Sequence, residues 1–192
     1  LVTGSGKKRV GAAVASALAA RGFHIAVHYR TSAAEADQTV AELTALGVDA
    51  AAFPADLADE AAVRTLVAGV LDRFGRIDVL VNCAAIWERK RLEEVTAADV
   101  RRHFDANALG TFLCGQHAGL AMVGQPDGGL IVNVGDWAEA RPYPGYAAYF
   151  PSKGAVTAIT RSLAVELGTR NPKVRVNAVL PGPVLLPPDL PE

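Results

Sequence analysis

Cysteine is scarce in this sequence of 192 residues. Its two cysteines, Cys83 and Cys114, form neither a C-x-x-C pair nor a disulfide framework. The sequence is therefore not that of a small domain held together by disulfides. We expect the protein to work in a reducing compartment, the cytoplasm.

An excess of charge of one sign is missing as well. The formal net charge is −1 at pH 7, and no basic stripe runs along the chain. This balance argues against nucleic acid or an anionic membrane as a partner. The one basic cluster, Lys7-Lys8-Arg9, stands beside a glycine-rich loop. It is either a solvated patch or a site for a smaller anion, so the expected partner is a small molecule.

Long apolar runs and an initiator methionine are absent too. The longest apolar run, residues 10–20, lies between Arg9 and Arg21 and is too short to cross a bilayer. Hydrophobic residues make up 51% of the chain, which predicts a globular protein. No signal peptide, linker or repeat is visible, so residues 1–192 are interpreted as one domain. Because the chain opens directly on a strand, we expect a short N-terminal piece to be missing.

Short apolar runs alternate with helical patterns along the whole chain. The predicted strands are residues 1–3, 23–29, 48–53, 77–82, 130–134 and 174–180. The predicted helices are one that ends near residue 21 and the segments 33–46, 59–74, 97–122 and 149–168, with Asp59 as an N-cap. This alternation predicts a doubly wound Rossmann-type α/β fold, a parallel sheet with helices on both faces. In such a fold, ligands bind outside the carboxyl ends of the strands.

The loop after the first strand contains Gly4, Gly6 and Gly11. Glycines let the backbone approach a pyrophosphate closely, and the following helix presents its first N–H groups. The loop departs from the pattern G-x-G-x-x-G because position 9 is an arginine. Taken alone, the loop is equally well interpreted as a cofactor site or as a tight turn between a strand and a helix.

The end of the second strand indicates the type of cofactor. An NAD site has an acidic residue here to bind the ribose 2′-hydroxyl, and the segment 28–32 has none. Arg30 can instead pair with a 2′-phosphate, assisted by the hydroxyls of Thr31 and Ser32 and by Lys7 or Lys8. These residues would also fit a plain loop, but the missing acid favours NADPH over NADH.

A tyrosine and a lysine are the candidates for acid–base chemistry. Tyr149 and Lys153 are four residues apart at the start of a predicted helix, which places them on one face. A free tyrosine titrates at about pH 10, and a nearby ammonium favours the phenolate. Such a pair can move a proton at a substrate heteroatom while a hydride moves at the adjacent carbon. An ordinary half-buried pair on a helix would have the same spacing.

Taken together, these residues resemble the short-chain dehydrogenase/reductase family over the whole chain. The landmarks are Thr3-Gly4 with Gly11, Asp56-Leu57, the segment 75–82 (Gly-Arg-Ile-Asp-Val-Leu-Val-Asn), Asn107, Tyr149-x-x-x-Lys153 and Pro181-Gly182. The resemblance implies that Tyr149 is the general acid/base and that Lys153 lowers its pKa and holds the nicotinamide ribose. It also implies that Asn107 anchors a proton-relay water and that Asp56 lies against the adenine.

The resemblance extends to the rest of the cofactor site and to assembly. The further residues expected at the cofactor are Gly4, Lys7, Arg9, Gly11, Tyr29, Arg30, Thr31, Ser32, Leu57, Asn82, Ala84, Pro181 and Gly182. Members of the family commonly form dimers or tetramers, so a homo-oligomer is expected. They usually continue past the Pro-Gly motif into a segment that covers the substrate and a seventh strand. We therefore expect the last C-terminal segment to be missing here.

One departure from the family pattern is informative. Most members carry a serine thirteen residues before the tyrosine, where this chain has Asp136. An aspartate there is similar to the pteridine reductases, an NADPH-dependent subgroup, and Trp87 stands where those enzymes stack the pterin against the nicotinamide. We expect Asp136 to raise the pKa of Tyr149 and to bind a substrate amine. Simpler interpretations are that Asp136 caps a turn and that Trp87 is an ordinary apolar loop residue.

The sequence thus predicts an NADPH-dependent reductase of a pterin, dihydrobiopterin-like or dihydrofolate-like. Ala85 and Ile86 replace serines of that subgroup, which leaves the exact substrate open. One rival is a short-chain reductase of a ketone, such as a 3-oxoacyl thioester or a sugar. The other is a non-catalytic nucleotide-sensing protein of the same fold. No metal site is predicted.

Overall fold

The architecture is a single sheet of six parallel strands in the order β3-β2-β1-β4-β5-β6. The structure, a computed structural model, describes residues 1–182 and 184. The expected end of the chain beyond Gly182 therefore lies, except for residue 184, outside the described residues. The strands are β1 (Val2–Thr3), β2 (Ile25–Tyr29), β3 (Ala50–Pro54), β4 (Val79–Asn82), β5 (Gly129–Val134) and β6 (Val174–Val179). The predicted doubly wound sheet is confirmed.

Helices cover both faces of this sheet. They are α1 (Val10–Ala19), α2 (Ala33–Thr44), α3 (Glu60–Phe74), α4 (Ala97–His103), α5 (Gly110–Val123) and α6 (Tyr149–Gly168). Asp59 caps α3 as predicted, because its carboxylate accepts the N–H of Ala61 at 2.9 Å. Pro151 lies in the first turn of α6, where its missing N–H breaks no helical hydrogen bond.

The core is divided into two layers by the sheet. On one face, Leu66, Leu80 and Ile131 belong to a buried cluster that includes residues of α3, α5 and α6. On the other, a smaller cluster under α1 and α2 surrounds Val2 and Val27. Since β4 is covered on both faces, its sequence is a continuous apolar run up to Asn82 rather than an alternating one. No helix in the described residues is both long and apolar enough to traverse a lipid bilayer.

The helix predicted over residues 97–122 is interrupted, and this part of the prediction is wrong. A π-helix, Phe104–Leu109, separates α4 from α5 and has Asn107 in its middle. Such an interruption admits one extra residue per turn and frequently marks a functional site. Asn107 is 1% exposed and bonds with neighbouring elements on both sides. These contacts favour the wider turn, which hydrophobic periodicity does not reveal.

Candidate active site

The carboxyl edge of the sheet opens where the strand order reverses, between β1 and β4. The loops that leave these two strands touch each other. Thr3 Oγ1 accepts the backbone N–H groups of Cys83 and Ala84 at 3.1 Å each. Gly4 has φ +66°, and a Cβ there would lie 2.8 Å from the Cα of Ala84. A crevice at this point of a doubly wound sheet is where such folds bind dinucleotides.

The glycine loop is held in place from below by a buried histidine. His28 Nδ1 accepts the N–H of Gly4 at 2.9 Å, and its Nε2 lies 3.1 Å from the carbonyl oxygen of Ala55. Because a carbonyl only accepts, Nε2 carries the proton and the ring is neutral. Burial lowers the pKa of His28, which favours this neutral state. The histidine thereby joins the ends of β1, β2 and β3.

The start of α1 packs directly on the same loop. A Cβ on Gly11 would lie 2.6 Å from the carbonyl oxygen of Gly4, so no side chain fits there. This close packing sets the loop against the start of α1, with the side chains of Lys7 and Arg9 exposed beside it. A glycine loop at a helix start, flanked by cations, can hold the pyrophosphate of a dinucleotide.

The other residues expected at the cofactor are distributed along the same edge. Arg30, Thr31 and Asp56 are exposed, and Arg30 and Asp56 line one cavity of about 560 Å³ that reaches Trp87. Leu57 differs, because its side chain is buried in the core against α5. Gly6 packs against Tyr29, since a Cβ on Gly6 would lie 2.8 Å from the tyrosine Cβ. Ser32 is buried and lies just before α2.

Pro181 and Gly182 lie beside β5 rather than at the glycine loop. The carbonyl oxygen of Pro181 accepts the N–H of Trp137 at 3.2 Å. A Cβ on Gly182 would lie 3.3 Å from the indole ring of Trp137. These contacts bring the Pro-Gly segment next to the turn that follows Asp136.

The two oxygens of Asp136 have different partners. Oδ2 accepts the hydroxyl of Tyr149 at 2.8 Å, and Oδ1 accepts the N–H of Ala138 at 2.9 Å. The carboxylate therefore caps the turn after β5 and also binds the candidate acid/base. The simpler interpretation, that Asp136 caps a turn, is thus correct, and the carboxylate also bonds to Tyr149; its expected contact with a substrate amine stays a prediction.

Tyr149 holds its proton more firmly than a free tyrosine does. Burial raises the pKa of its hydroxyl, and the hydrogen bond and charge of Asp136 raise it further. Lys153, one turn along α6, donates from Nζ to the carbonyl oxygen of Val134 at 2.6 Å. Burial lowers the pKa of Lys153, while the charge of Asp136 opposes that shift. The net direction at Tyr149 is opposite to the lowering that the lysine alone was expected to cause.

Asn107 joins the loop after β4 to the start of α6. Its Oδ1 accepts the N–H of Ile86 at 2.8 Å, and its Nδ2 donates to the carbonyl oxygen of Ile86 at 2.9 Å and to Ser152 Oγ at 3.0 Å. The side chain is thus occupied by protein partners. Its backbone carbonyl oxygen accepts the hydroxyl of Thr111 at 2.7 Å.

Tyrosines that sequence reasoning missed form a wall beside Tyr149. The ring of Tyr146 stacks on Trp87 with centroids 5.6 Å apart and planes at 12°. Tyr143 packs edge-on against Tyr146 and against Phe150, and the hydroxyl-bearing ring of Tyr149 lies 6.3 Å from that of Tyr146. Tyrosines at every third position from 143 to 149 were the signal in the sequence that marked this wall.

Comparison with known proteins places this geometry in a family. Residues 1–188 match the family model described as short chain dehydrogenase. The chain is 42% identical over 185 residues to an uncharacterized oxidoreductase of Methylorubrum extorquens, which covers 96% of this chain and 72% of the relative. The chain belongs to the short chain dehydrogenase family. Membership confirms the predicted family and its class of activity, an oxidoreductase.

Two further similarities indicate which members this short chain dehydrogenase resembles. It is 40% identical over 182 residues to a 3-oxoacyl-[acyl-carrier-protein] reductase of Synechocystis, covering 95% of this chain and 72% of the relative. Among solved structures, a putative dehydrogenase from Burkholderia cenocepacia with bound NADP superimposes with a TM-score of 0.85 at 35% identity. That match covers 93% of this chain and 67% of the other.

A buried polar chain crosses the sheet of this short chain dehydrogenase below the site. Asn82 Nδ2 donates to Asn133 Oδ1 at 2.9 Å, and Asn133 Nδ2 donates to Thr160 Oγ1 at 2.9 Å. The two asparagines are partners in the register of β4 and β5. Asn82, expected at the cofactor, therefore directs its amide group into the protein. Among the described residues, no group of three or more His, Cys, Asp and Glu side chains is arranged to hold a metal ion.

Proposed function

We propose that this protein is an NADPH-dependent reductase in which Tyr149 is the proton donor. The observation that carries the proposal is the hydrogen bond from the Tyr149 hydroxyl to Asp136. Alcohol oxidation requires the phenolate as a base, and a raised pKa keeps the phenolate scarce. Reduction requires the neutral phenol, which is the form that this site stabilises. The bound nicotinamide would supply the hydride, and Tyr149 the proton.

The substrate that fits this site best is a pterin. Reduction of a C=N bond in its ring requires a proton at nitrogen, and the ring carries an amino group and ring N–H groups that donate hydrogen bonds. Asp136 can accept such a bond, because each carboxylate oxygen has two acceptor sites. Trp87, with 42% of its surface exposed, offers an aromatic face for a flat ring. A simple ketone has no donor group for the carboxylate.

Reduction of a 3-oxoacyl thioester is the second candidate. It is favoured by the 40% identity to the Synechocystis enzyme, whose name states that activity. The tyrosine and lysine would act in the same way on a ketone oxygen. Asp136 separates the two candidates, since only the pterin needs a carboxylate at this position.

The end of β2 supports the proposed preference for NADPH. Arg30 is exposed there beside Thr31, and this end of the strand offers a 2′-phosphate a guanidinium and a hydroxyl but no carboxylate. A guanidinium binds phosphate through paired, charge-assisted hydrogen bonds. The Burkholderia structure with bound NADP is consistent with this choice.

We also propose that the protein is a cytoplasmic homo-oligomer. Both cysteines are free thiols. Exposed apolar side chains lie in and beside the helices around the π-helix and on α6, namely Phe104, Leu109, Leu120 and Val165. We propose that a second copy of the chain covers these side chains. Light scattering is expected to give at least twice the mass of one chain.

The experiment that tests the function is a substrate comparison with matched variants. NADPH consumption is measured with dihydrobiopterin and with a 3-oxoacyl thioester for the protein, for Asp136→Ser and for Asp72→Asn. Asp72, an exposed carboxylate on α3, controls for a general loss of negative charge. We expect pterin turnover that Asp136→Ser abolishes and Asp72→Asn leaves intact. Turnover of the ketone alone, unchanged or improved in Asp136→Ser, would establish the second candidate instead.

A further inference from the structure

The aromatic wall beside Tyr149 is built from two loops that are far apart in sequence. Trp87 belongs to the loop after β4, and Tyr146 to the loop before α6. Their rings are stacked at a centroid distance of 5.6 Å. Trp87 is 42% exposed, so burial alone does not fix its orientation. Other contacts must hold the two loops together.

Lys90 provides two of these contacts, one from its backbone and one from its side chain. Its N–H donates to the carbonyl oxygen of Gly145 at 2.8 Å, next to Tyr146. Its ammonium donates to Asp99 Oδ2 at 2.7 Å, on α4. One residue, three positions after Trp87, thus ties the loop after β4 to both neighbouring elements.

Asp99 is a fixed anchor for the lysine. Its side chain is only 12% exposed, and Oδ2 also accepts the N–H of Thr96 at 2.8 Å and the Thr96 hydroxyl at 2.7 Å. Arg102 donates to Oδ1 at 3.1 Å and also pairs with Glu88, the residue after Trp87. The hydrogen bond from Lys90, followed by those from Thr96, holds the pKa of this carboxyl well below its usual range. The anchor therefore stays charged.

The contact at Gly145 has a steric requirement. Gly145 has φ +94°, a backbone conformation that residues other than glycine rarely adopt. A Cβ there would lie 3.1 Å from Cγ of Arg89. The absence of a side chain at Gly145 therefore lets the two loops pack closely, and the rings of Trp87 and Tyr146 stack on each other.

We propose that Lys90 is a positioning residue that determines substrate specificity by holding Trp87 stacked on Tyr146. The wall then presents one flat aromatic face to the substrate, and the Lys90–Asp99 pair sets where that face stands. Lys90 bonds to Gly145 and Asp99, whereas the reacting atoms are served by Tyr149 and Asp136. The inference rests on the proposed function in one respect, that the substrate packs against Trp87.

The first test is kinetic and uses a matched control in the same loop. Lys90→Met keeps the backbone N–H and the aliphatic stem but removes the ammonium. Arg91→Met removes a charge that forms only an exposed ion pair, with Arg91 Nε 3.5 Å from Glu93 Oε2. For Lys90→Met we expect KM for a flat substrate to rise about three- to tenfold, the range that an aromatic contact contributes. The value of kcat should stay within about twofold, Lys90→Arg should restore KM, and Arg91→Met should change neither constant.

A double-mutant cycle shows whether the lysine acts through the indole. In a Trp87→Leu background, Lys90→Met is expected to have no further effect on KM, because the group it positions is gone. If KM rises by the same factor in both backgrounds, Lys90 acts independently of Trp87 and the proposal is wrong.

A spectroscopic test needs no substrate and so separates this inference from the proposed function. In a Trp137→Phe background the fluorescence of the protein comes from Trp87, since the chain has two tryptophans. We expect acrylamide to quench Trp87 more strongly in Lys90→Met than in Arg91→Met. Equal quenching would overturn the proposal even if KM changed. Increased quenching in a protein that reduces only ketones would support the positioning role while refuting the pterin, and KM would then be compared on the ketone.

Discussion

Replacing Asp136 is expected to change the pH dependence of proton transfer by a calculable amount. The Tyr149 hydroxyl donates to Asp136 at 2.8 Å, and hydrogen bonds to charged groups contribute about 1.5–3 kcal/mol. Since one pKa unit corresponds to about 1.4 kcal/mol, Asp136→Ser should lower the pKa of Tyr149 by about one to two units. Burial, the largest cause of the raised pKa, remains, so the value should stay above that of free tyrosine.

The sign follows from which form of the phenol is stabilised. Asp136 accepts from the neutral phenol and repels the phenolate, so its removal favours the phenolate. At a pH below both pKa values, the phenolate fraction should rise about 10- to 100-fold. The rise of the residual oxidative rate with pH, measured with NADP and the reduced product, should begin one to two units lower, because the base form of Tyr149 forms at lower pH. Asp136→Asn should shift the pKa at least as far, because its amide can donate to the phenolate.

The assay is the pH profile of the oxidative rate, combined with a spectroscopic titration of tyrosinate. Tyr149→Phe identifies the part of the titration that belongs to this residue among the four tyrosines. An inflection that stays in place or moves to higher pH in Asp136→Ser would refute the reasoning. The hydrogen bond would then not control the proton on Tyr149.

Three further predictions concern the cofactor edge of the sheet. Burial lowers the pKa of His28, so below about pH 6.5 the unfolded chain binds a proton on this residue that the folded protein does not. The free energy of unfolding should therefore fall as the pH drops from there toward the lowered pKa. Thermal unfolding of His28→Gln, measured over the same pH range, should not show this fall. Gly11→Ala should lower the free energy of unfolding by about 1–3 kcal/mol and weaken NADPH binding, because its Cβ would lie 2.6 Å from the Gly4 carbonyl oxygen. Gly154→Ala in α6 is the control, since a Cβ there has no heavy atom within 4 Å, and it should raise the free energy of unfolding by about 0.5–1 kcal/mol. Calorimetry and cofactor titration compare the two variants. Arg30→Asp should reduce the ratio of kcat/KM for NADPH to that for NADH by about tenfold or more, and an unchanged ratio would contradict the assignment of the 2′-phosphate site.

Local patterns in the sequence predict most of the fold. The bounds of α6 and the cap of α3 follow from residues that act on their immediate neighbours, such as Asp59. The π-helix around Asn107 was not predictable in this way, because its cause is a set of hydrogen bonds to Ile86 and Ser152, distant in sequence. Periodicity extends smoothly through residues 97–122 and carries no information on such contacts.

The candidate site shows the same division. The spacing of Tyr149 and Lys153 and the aspartate at position 136 are visible in the chain itself, and the structure brings the three together around the end of β5. The positioning role of Lys90 could not be predicted from the sequence, because nothing in its own segment distinguishes a lysine that joins two loops from one that is solvated. Its role depends on Gly145 and Asp99, which only packing brings next to it.

The pair of buried asparagines between β4 and β5 has a consequence for folding fidelity. Apart from these asparagines, both strands are apolar, so hydrophobicity distinguishes poorly between alternative alignments. A strand that slipped would leave buried amides without partners, at about 1–3 kcal/mol for each. The hydrogen bond between Asn82 and Asn133 thereby selects one alignment, and with it the separation of Trp87 from Asp136, since the two loops leave from these strands. A hydrogen bond inside the sheet thus helps to set the width of the pocket at the carboxyl edge.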